Sequence, residues 1–170
     1  SYREKVKDGV AQYFRIADYN TKQVLEYSRK ILSKMNTVMV YDYSSTVEKA
    51  INSCGKILKV YVPESRAING GYPYIKSFAA ARHKVCFIPD ASMLTVLNEI
   101  DAVFIGAETF YPDGTAFNTV GSDILAELCK THHVPYYVIT PMLKADLRSI
   151  YGDYKETIPA NIKDRMSVGW

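Results

Sequence analysis

The sequence predicts an α/β fold in which a parallel sheet is flanked by helices on both faces. Five short runs rich in β-branched and aromatic residues follow one another, and helical segments separate them. The runs are almost continuously apolar, which is typical of strands that are covered on both faces. Hydrophobic residues make up 48% of the 170 residues, so the chain can bury one sizeable core.

The first 34 residues predict helical structure ahead of the sheet. Val6, Val10 and Ala17 recur at helical spacing, and a second apolar series runs from about Thr21 onward. Asn20 and Thr21 are residue types that cap helices, so we expect two helices here, with the second beginning near this point.

From residue 35 onward, strands and helices alternate. The predicted strands are Thr37–Tyr41, Ile57–Val62, Lys84–Ile88, Ala102–Ile105 and Pro135–Ile139. The predicted helices are Thr46–Ser53, Tyr74–Arg82, Ser92–Glu99 and Ser122–Thr131. Ser92 is the expected N-cap of its helix, and the turn sequence YPDG predicts a small hairpin within Phe110–Asn118.

These patterns divide the chain into three parts. Residues 1–34 form a helical N-terminal segment, and residues 35–146 form the α/β domain. Residues 147–170 are polar and without a clear period, and we expect a C-terminal arm that belongs to the same domain.

Composition argues against several classes of function. The 21 basic and 18 acidic residues are scattered without a long run of one sign, so we expect no direct nucleic acid binding. No apolar run is long enough to span a membrane and the first residues do not read as a signal peptide, so we expect a cytoplasmic protein. Three cysteines without a CxxC unit predict neither a disulfide framework nor a metal site, and we expect no cofactor.

Polar residues collect where the predicted strands end. Ligands of open parallel sheets bind beyond these carboxyl ends. We therefore expect a cleft that takes a small phosphorylated or polyhydroxylated ligand, built by the loops after the first, second and fourth strands. The candidate residues, in chain order, are Asp42, Ser44, Ser45, Glu64, Ser65, Arg66, Glu108 and Lys144.

Several of these candidates have a second interpretation. Ser44 and Ser45 either cap the following helix or offer donors to an anion, and the two roles are compatible. Arg66 either pairs with Glu64 on the surface or binds a phosphate through bidentate hydrogen bonds from its guanidinium. Glu108 is either a solvated residue at a strand end or a group that works as acid, base or hydroxyl acceptor.

Several stretches resemble, in this order, those of one known family. They are VMVYDYSSTV, KVYVPESRAINGG, VCFIPDASM, IDAVFIGAETFYPDGTAFNTVGS and HHVPYYVITP. The family contains the regulatory alpha, beta and delta subunits of translation initiation factor 2B, methylthioribose-1-phosphate isomerase and ribose-1,5-bisphosphate isomerase. The resemblance implies a Rossmann-like fold, a pocket for a phosphosugar or a nucleotide, and a homodimer or a dimer with a related subunit.

The sequence departs from the isomerases at the positions that carry their chemistry. The isomerases have a catalytic cysteine just after the first strand, where Asp42 stands, and an aspartate after the Gly-Ala of the fourth strand, where Glu108 stands. They usually have Asn-Lys before the next glycine, whereas here Asn118 is kept and Thr119 replaces the lysine. The resemblance thus implies catalytic positions at Asp42 and Glu108 and a ligand contact at Asn118.

Three functions stay open at this point. The Glu-Ser-Arg element is intact as residues 64–66 while the acid–base pair is altered, which favours a ligand-binding, regulatory domain without turnover. The alternatives are an aldose–ketose isomerase acting on a ribose 1-phosphate-type substrate, and a subunit-interaction module of a larger assembly.

Overall fold

A single long helix, α1 (Tyr2–Leu32), precedes the sheet in the computed structural model, which describes residues 2–152. The prediction of two helices is wrong, because Asn20 does not begin a new helix. Its side-chain amide donates to the carbonyl of Ile16 at 2.8 Å, one turn earlier in the same helix. The C-terminal part of α1 buries Leu32 and packs Val24 on the core, whereas Phe14 in the N-terminal half is exposed.

The remaining elements follow in the predicted order. The strands are β1 (Thr37–Tyr41), β2 (Lys59–Pro63), β3 (Lys84–Ile88), β4 (Ala102–Ile105), β5 (Thr109–Phe110), β6 (Ala116–Phe117) and β7 (Tyr136–Val138). The helices after α1 are α2 (Ser45–Asn52), α3 (Tyr72–Ala80), α4 (Met93–Val96) and α5 (Ser122–Thr131).

The sheet has the Rossmann-like topology that the resemblance implies. Its strand order is β3-β2-β1-β4-β7, and all four pairings are parallel. The chain starts at β1 in the middle, moves outward through β2 and β3, and then returns to the other side of β1. Because the direction of winding reverses between β1 and β4, a crevice opens at their carboxyl ends. The small β5–β6 hairpin follows β4 and confirms the predicted turn.

Helices cover both faces of the sheet, as predicted. On one face α1, α2 and α3 bury side chains such as Ile51 and Phe78 against Val38 and Phe104. On the other face a second cluster contains Met93 of α4, Leu97 just after it, and Leu125 and Cys129 of α5.

The helix predicted over Ser92–Glu99 is broken into short pieces. One α-helical turn, α4, lies between two 3₁₀ turns at Asp90–Ser92 and Leu97–Glu99. Ser92 makes no capping hydrogen bond, so that prediction is wrong. The reason is its backbone, which stays in the helical region at φ −90° and ψ −1°, whereas an N-cap is extended.

The predicted C-terminal arm is described only as far as Gly152. Arg148–Tyr151 form a 3₁₀ turn, and residues 153–170 of that arm lie outside the described residues. Within residues 2–152, no helix combines the length and the apolar character needed to cross a membrane.

Candidate functional site

A cavity of about 500 Å³ opens at the carboxyl edge of the sheet, in the crevice between the loops that follow β1 and β4. Six of the residues predicted from the sequence line it. They are Asp42, Ser44, Ser45, Glu108, Asn118 and Lys144. The loops after the first, second and fourth strands therefore converge, although the second loop contributes different residues from those predicted.

Asp42 is held tightly in the lining. It follows β1 directly, takes the left-handed conformation at φ 55°, and has only 6% of its surface exposed. Its Oδ1 accepts a hydrogen bond from the Tyr43 backbone N–H at 2.8 Å, and its Oδ2 accepts one from the Thr119 hydroxyl. Each carboxylate oxygen is thus held by one donor from the protein.

Ser44 ties the start of α2 to two neighbouring elements. Its hydroxyl accepts from the Val47 N–H at 3.4 Å, which makes it the N-cap of α2. Its own N–H donates to the phenol oxygen of the fully buried Tyr74 at 2.8 Å. Gly106, after β4, lies so close that a Cβ there would be 2.5 Å from the Ser44 hydroxyl. The cap, the phenol and this glycine together fix the wall of the cavity.

The β5–β6 hairpin positions the wall that follows β4. The Glu108 N–H donates to the carbonyl of Phe117 at 2.8 Å, so Glu108 and Asn118 lie side by side at the open end of the hairpin, and both line the cavity. The Asn118 amide donates to the Ser122 hydroxyl at the start of α5, at 3.0 Å. Lys144 reaches in from the turn after β7, and its Nζ donates to the carbonyl of Ala107 at 2.7 Å.

The Glu64–Ser65–Arg66 element does not line this cavity. The Arg66 guanidinium lies 3.9 Å from the Glu64 carboxylate, and 60% of the Arg66 side chain is exposed. Ser65 is fully buried at φ 48°, and its N–H and that of Arg66 donate to the two oxygens of Asp90 at 2.8 Å. Asp90 therefore fixes the shape of this loop. The loop presents Asn69 to the cavity in place of the expected guanidinium.

Sequence reasoning missed several residues of the lining. Gly70 packs against Asp42, and a Cβ at position 70 would be 2.0 Å from Oδ1. Its only signal in the sequence is the Gly-Gly pair at residues 70 and 71, a pattern typical of loops in general. Thr119 was noted only as the residue that replaces the isomerases' lysine, and no local pattern predicts its bond to Asp42, which lies 77 residues earlier in the chain. Ile68 and Pro73 complete the lining without any sequence cue.

Two buried phenols lie next to residues of the lining, Tyr41 before Asp42 in the chain and Tyr74 bonded to Ser44. Burial, more than the nearby Asp90, raises the pKa of Tyr41 to about 12, and its hydroxyl donates to the carbonyl of Val120 at 3.2 Å. Burial likewise raises the pKa of Tyr74 far above its ordinary value. Both phenols therefore stay neutral at physiological pH and act as hydrogen-bonding supports.

Charge in the lining is mixed. Among residues 2–152 the lining carries two carboxylates, Asp42 and Glu108, and one ammonium, Lys144. In the same part of the chain, no group of three or more histidine, cysteine or acidic side chains is arranged to hold a metal ion. The arrangement offers hydrogen-bond donors and acceptors to a polar organic ligand of monosaccharide size.

A model of the initiation factor 2 subunit family matches residues 1–167, nearly the whole chain. The chain belongs to this family. Its members differ in what they do. The chain is 26% identical to the ribose 1,5-bisphosphate isomerase of Archaeoglobus fulgidus over 89% of its own length and 49% of that protein. It is 29% identical to the methylthioribose-1-phosphate isomerase of Natranaerobius thermophilus over 82% of its own length and 42% of that protein.

Solved structures of the initiation factor 2 subunit family share the fold. The translation initiation factor eIF-2B of Pyrococcus horikoshii superimposes with a TM-score of 0.82 at 22% identity, over 91% of this chain and 57% of that one. A chain of the tetrameric eIF2B-beta2-delta2 complex from C. thermophilum superimposes with a TM-score of 0.74 at 17% identity. The match covers 84% of this chain and 49% of that one. The chain spans about half the length of the curated relatives it matches.

Proposed function

We propose that this domain of the initiation factor 2 subunit family binds a phosphorylated sugar or a nucleotide in the cavity, as a regulatory module without isomerase turnover. The observation that carries the proposal is the environment of Asp42, the residue that the resemblance aligns with the isomerases' catalytic cysteine. It is a buried carboxylate with one protein donor on each oxygen. A carboxylate fixed in this way is suited to accept hydrogen bonds, and it lacks the chemistry of a thiol.

The cavity suits this class of ligand in size and in polarity. A volume of about 500 Å³ lies within the range of small-molecule sites, roughly 300–1,000 Å³. Lys144 and the capped start of α2 at Ser44 and Ser45 offer positive potential and hydrogen-bond donors to a phosphate. Asn118 and Glu108 offer an amide and a carboxylate to sugar hydroxyls.

Thermal denaturation in the presence of candidate ligands tests the proposal. The panel holds ribose 5-phosphate, ribose 1,5-bisphosphate, methylthioribose 1-phosphate, AMP and GMP, with inorganic phosphate and sulfate as ionic controls. A ligand present at a hundred times its Kd stabilises a protein by about 2.7 kcal/mol. For a domain of this size that raises the Tm by about 5–10 °C. If no member of the panel raises the Tm above the ionic controls, the proposal is wrong.

An isomerase is the second candidate, because Asp42 and Glu108 line the same cavity. In this alternative Asp42 exchanges the proton with carbon, and Glu108 serves the opposite oxygen. Incubation with ribose 1,5-bisphosphate or methylthioribose 1-phosphate, followed by NMR of the sugar carbons, separates the two candidates. Turnover that is lost in Glu108→Gln would replace the first proposal, whereas absence of turnover with binding intact supports it.

The third candidate is a subunit of a larger assembly. Its support is the exposed apolar surface of α1, where Val10, Tyr13 and Phe14 are at least half exposed. We propose a homodimer or a complex with a related subunit, in the cytoplasm. Light scattering of the purified chain measures this, and a monomer at all concentrations would count against a homodimer.

A further inference from the structure

We propose that Asp42 recognises a free vicinal diol of the ligand, and that Thr119 and Gly70 are positioning residues that aim its carboxylate. The inference rests on the proposed function, since it takes a phosphorylated ribosyl ligand in the same cavity. It adds which part of that ligand is required, namely two neighbouring unsubstituted hydroxyls.

The first step is the unused acceptor capacity of Asp42. An ionised carboxylate has about four lone-pair sites, two on each oxygen. Tyr43 fills one site on Oδ1, and Thr119 fills one on Oδ2. Within residues 2–152 no lysine or arginine forms an ion pair with this side chain. Each oxygen of this carboxylate therefore keeps one lone-pair site that no protein donor fills.

The second step is burial, which makes further donors valuable. Asp42 is only 6% exposed, and a buried carboxylate is costly unless donors or cations satisfy it. A ligand that covers Asp42 would displace the solvent that still reaches its carboxylate. Two hydroxyls on adjacent carbons present two O–H donors at a spacing that matches the two oxygens of one carboxylate. A cis-diol thus replaces the lost water, whereas a deoxy sugar leaves one oxygen short of a donor.

The third step is rigidity. Gly70 lies behind Oδ1 with no space for even a Cβ, and Thr119 holds Oδ2 from another loop. The left-handed backbone at Asp42, with φ 55°, fixes the direction in which the side chain leaves the chain. Conformations of this kind outside glycine are costly and concentrate at functional sites. A carboxylate that is fixed on both sides cannot rotate toward solvent. It therefore discriminates between ligands by the positions of their hydroxyl groups.

The fourth step is the distribution of charge, which orients the ligand. Phosphate is repelled by a carboxylate and attracted by an ammonium. Lys144 is the only cation in the described part of the lining, and its bond to the Ala107 carbonyl places it on the β4 side. We therefore expect the phosphate near Lys144 and the sugar hydroxyls at Asp42.

The experiment compares ligands that differ by one hydroxyl. Calorimetry measures the Kd of ribose 5-phosphate against 2-deoxyribose 5-phosphate, and of AMP against 2′-deoxy-AMP, for the wild-type chain. Because a hydrogen bond to a charged group is strong, the ribo form should bind at least about tenfold more tightly. In Asp42→Asn the ribo form should weaken about tenfold while the deoxy form changes less than about twofold. Thr119→Val should reduce the same preference, and the exposed Asp8→Asn on α1 should leave it unchanged.

The outcomes separate this inference from the function on which it rests. Equal binding of ribo and deoxy ligands by the wild type leaves the proposed function standing and overturns the role of Asp42. A preference that persists in Asp42→Asn also overturns it, because another group must then read the diol. If no ligand of either pair or of the wider panel binds, the proposed function fails and this inference falls with it. Should Asp42→Asn not fold by circular dichroism, the wild-type ratio and Thr119→Val decide the question.

Discussion

The α-carbon of Gly70 lies against the carboxylate of Asp42, so that a Cβ at position 70 would stand 2.0 Å from Oδ1 and 3.2 Å from the Asp42 Cα. The φ angle of Gly70 is outside the left-handed region, so the requirement for glycine is one of space. The loop after β2 therefore packs directly against the loop after β1, through the contact between Gly70 and the Asp42 side chain. This contact restricts the orientation of the Asp42 carboxylate before any ligand binds.

Gly70→Ala should destabilise the domain and weaken ligand binding together. The new methyl group must displace the Asp42 carboxylate, and overpacking of this kind costs about 1–3 kcal/mol. Urea denaturation measures the free energy of unfolding, and calorimetry with ribose 5-phosphate measures the binding. Gly9→Ala is the matched control, because no atom lies within 4 Å of a Cβ at that position. It should leave binding unchanged.

A double-mutant cycle sharpens the same prediction. In the background Asp42→Ala the carboxylate is gone, so adding Gly70→Ala should cost clearly less than it does in the wild type. Full additivity of the two substitutions would show that the alanine at position 70 clashes with something else, such as the backbone around Asp42.

Tyr74→Phe should weaken the start of α2 without opening a cavity. The phenol oxygen accepts from the Ser44 N–H at 2.8 Å, and its hydroxyl faces the Ser44 carbonyl at 3.4 Å. Loss of the phenol oxygen leaves the half-buried Ser44 N–H without its partner, which costs about 1 kcal/mol. Urea denaturation measures the cost. The same substitution at Tyr27, which is 62% exposed, is the control and should change the unfolding free energy by less than about 0.5 kcal/mol.

The strands and the edge of the sheet that carries the site could be predicted because their signals are local. An apolar run such as Thr37–Tyr41 predicts a buried strand, and the polar residues directly after it must then lie at the carboxyl edge. This reasoning found Asp42, Ser44 and Glu108. It holds as long as the side chain follows its strand within a few residues.

The rest of the site depends on contacts between distant residues, which no local pattern records. Thr119 meets Asp42 across 77 positions of sequence. The direction of Arg66 depends on Asp90, whose carboxylate holds the loop in a shape that turns the guanidinium toward Glu64. At Asn20 the side chain satisfies a carbonyl within its own helix, so a residue type typical of caps does not interrupt α1.

Arg66→Gln tests whether this guanidinium contacts the ligand. In the structure Arg66 is outside the cavity lining and faces Glu64 with a mostly exposed side chain. We therefore expect the Kd of ribose 5-phosphate to change less than about twofold, because exposed ion pairs contribute little. Lys144→Gln, which removes the ammonium from the lining, should weaken the same ligand about tenfold or more, because it removes a charged hydrogen bond. A loss of similar size in Arg66→Gln would mean that the loop after β2 rearranges on binding.

His83 should make the stability of the domain depend on pH below neutrality. It is 8% exposed, and its Nδ1 accepts a hydrogen bond from the Leu58 N–H at 3.1 Å, which requires an unprotonated Nδ1. Burial lowers the pKa of His83 below its ordinary value of 6.5, and the Ile51 carbonyl offsets part of this effect. The unfolded chain therefore binds the proton more readily than the folded one. This contribution to stability is complete above the unfolded pKa and is lost as the pH falls through 6.5 toward the folded pKa.

His83→Asn isolates that contribution, because the asparagine Oδ1 can accept from the Leu58 N–H and does not titrate. Urea denaturation at intervals between pH 5 and pH 8 gives the unfolding free energy of both chains. The unfolding free energy of the wild type minus that of the variant should be constant above about pH 7. It should decrease as the pH falls below that value, because only the wild type loses the contribution of His83. All other ionisable groups are common to both chains, so their contributions cancel in the difference. A difference that stays flat down to pH 5 would mean that the folded state admits the proton at His83 as readily as the unfolded chain does, and that the bond to Leu58 carries no protonation dependence.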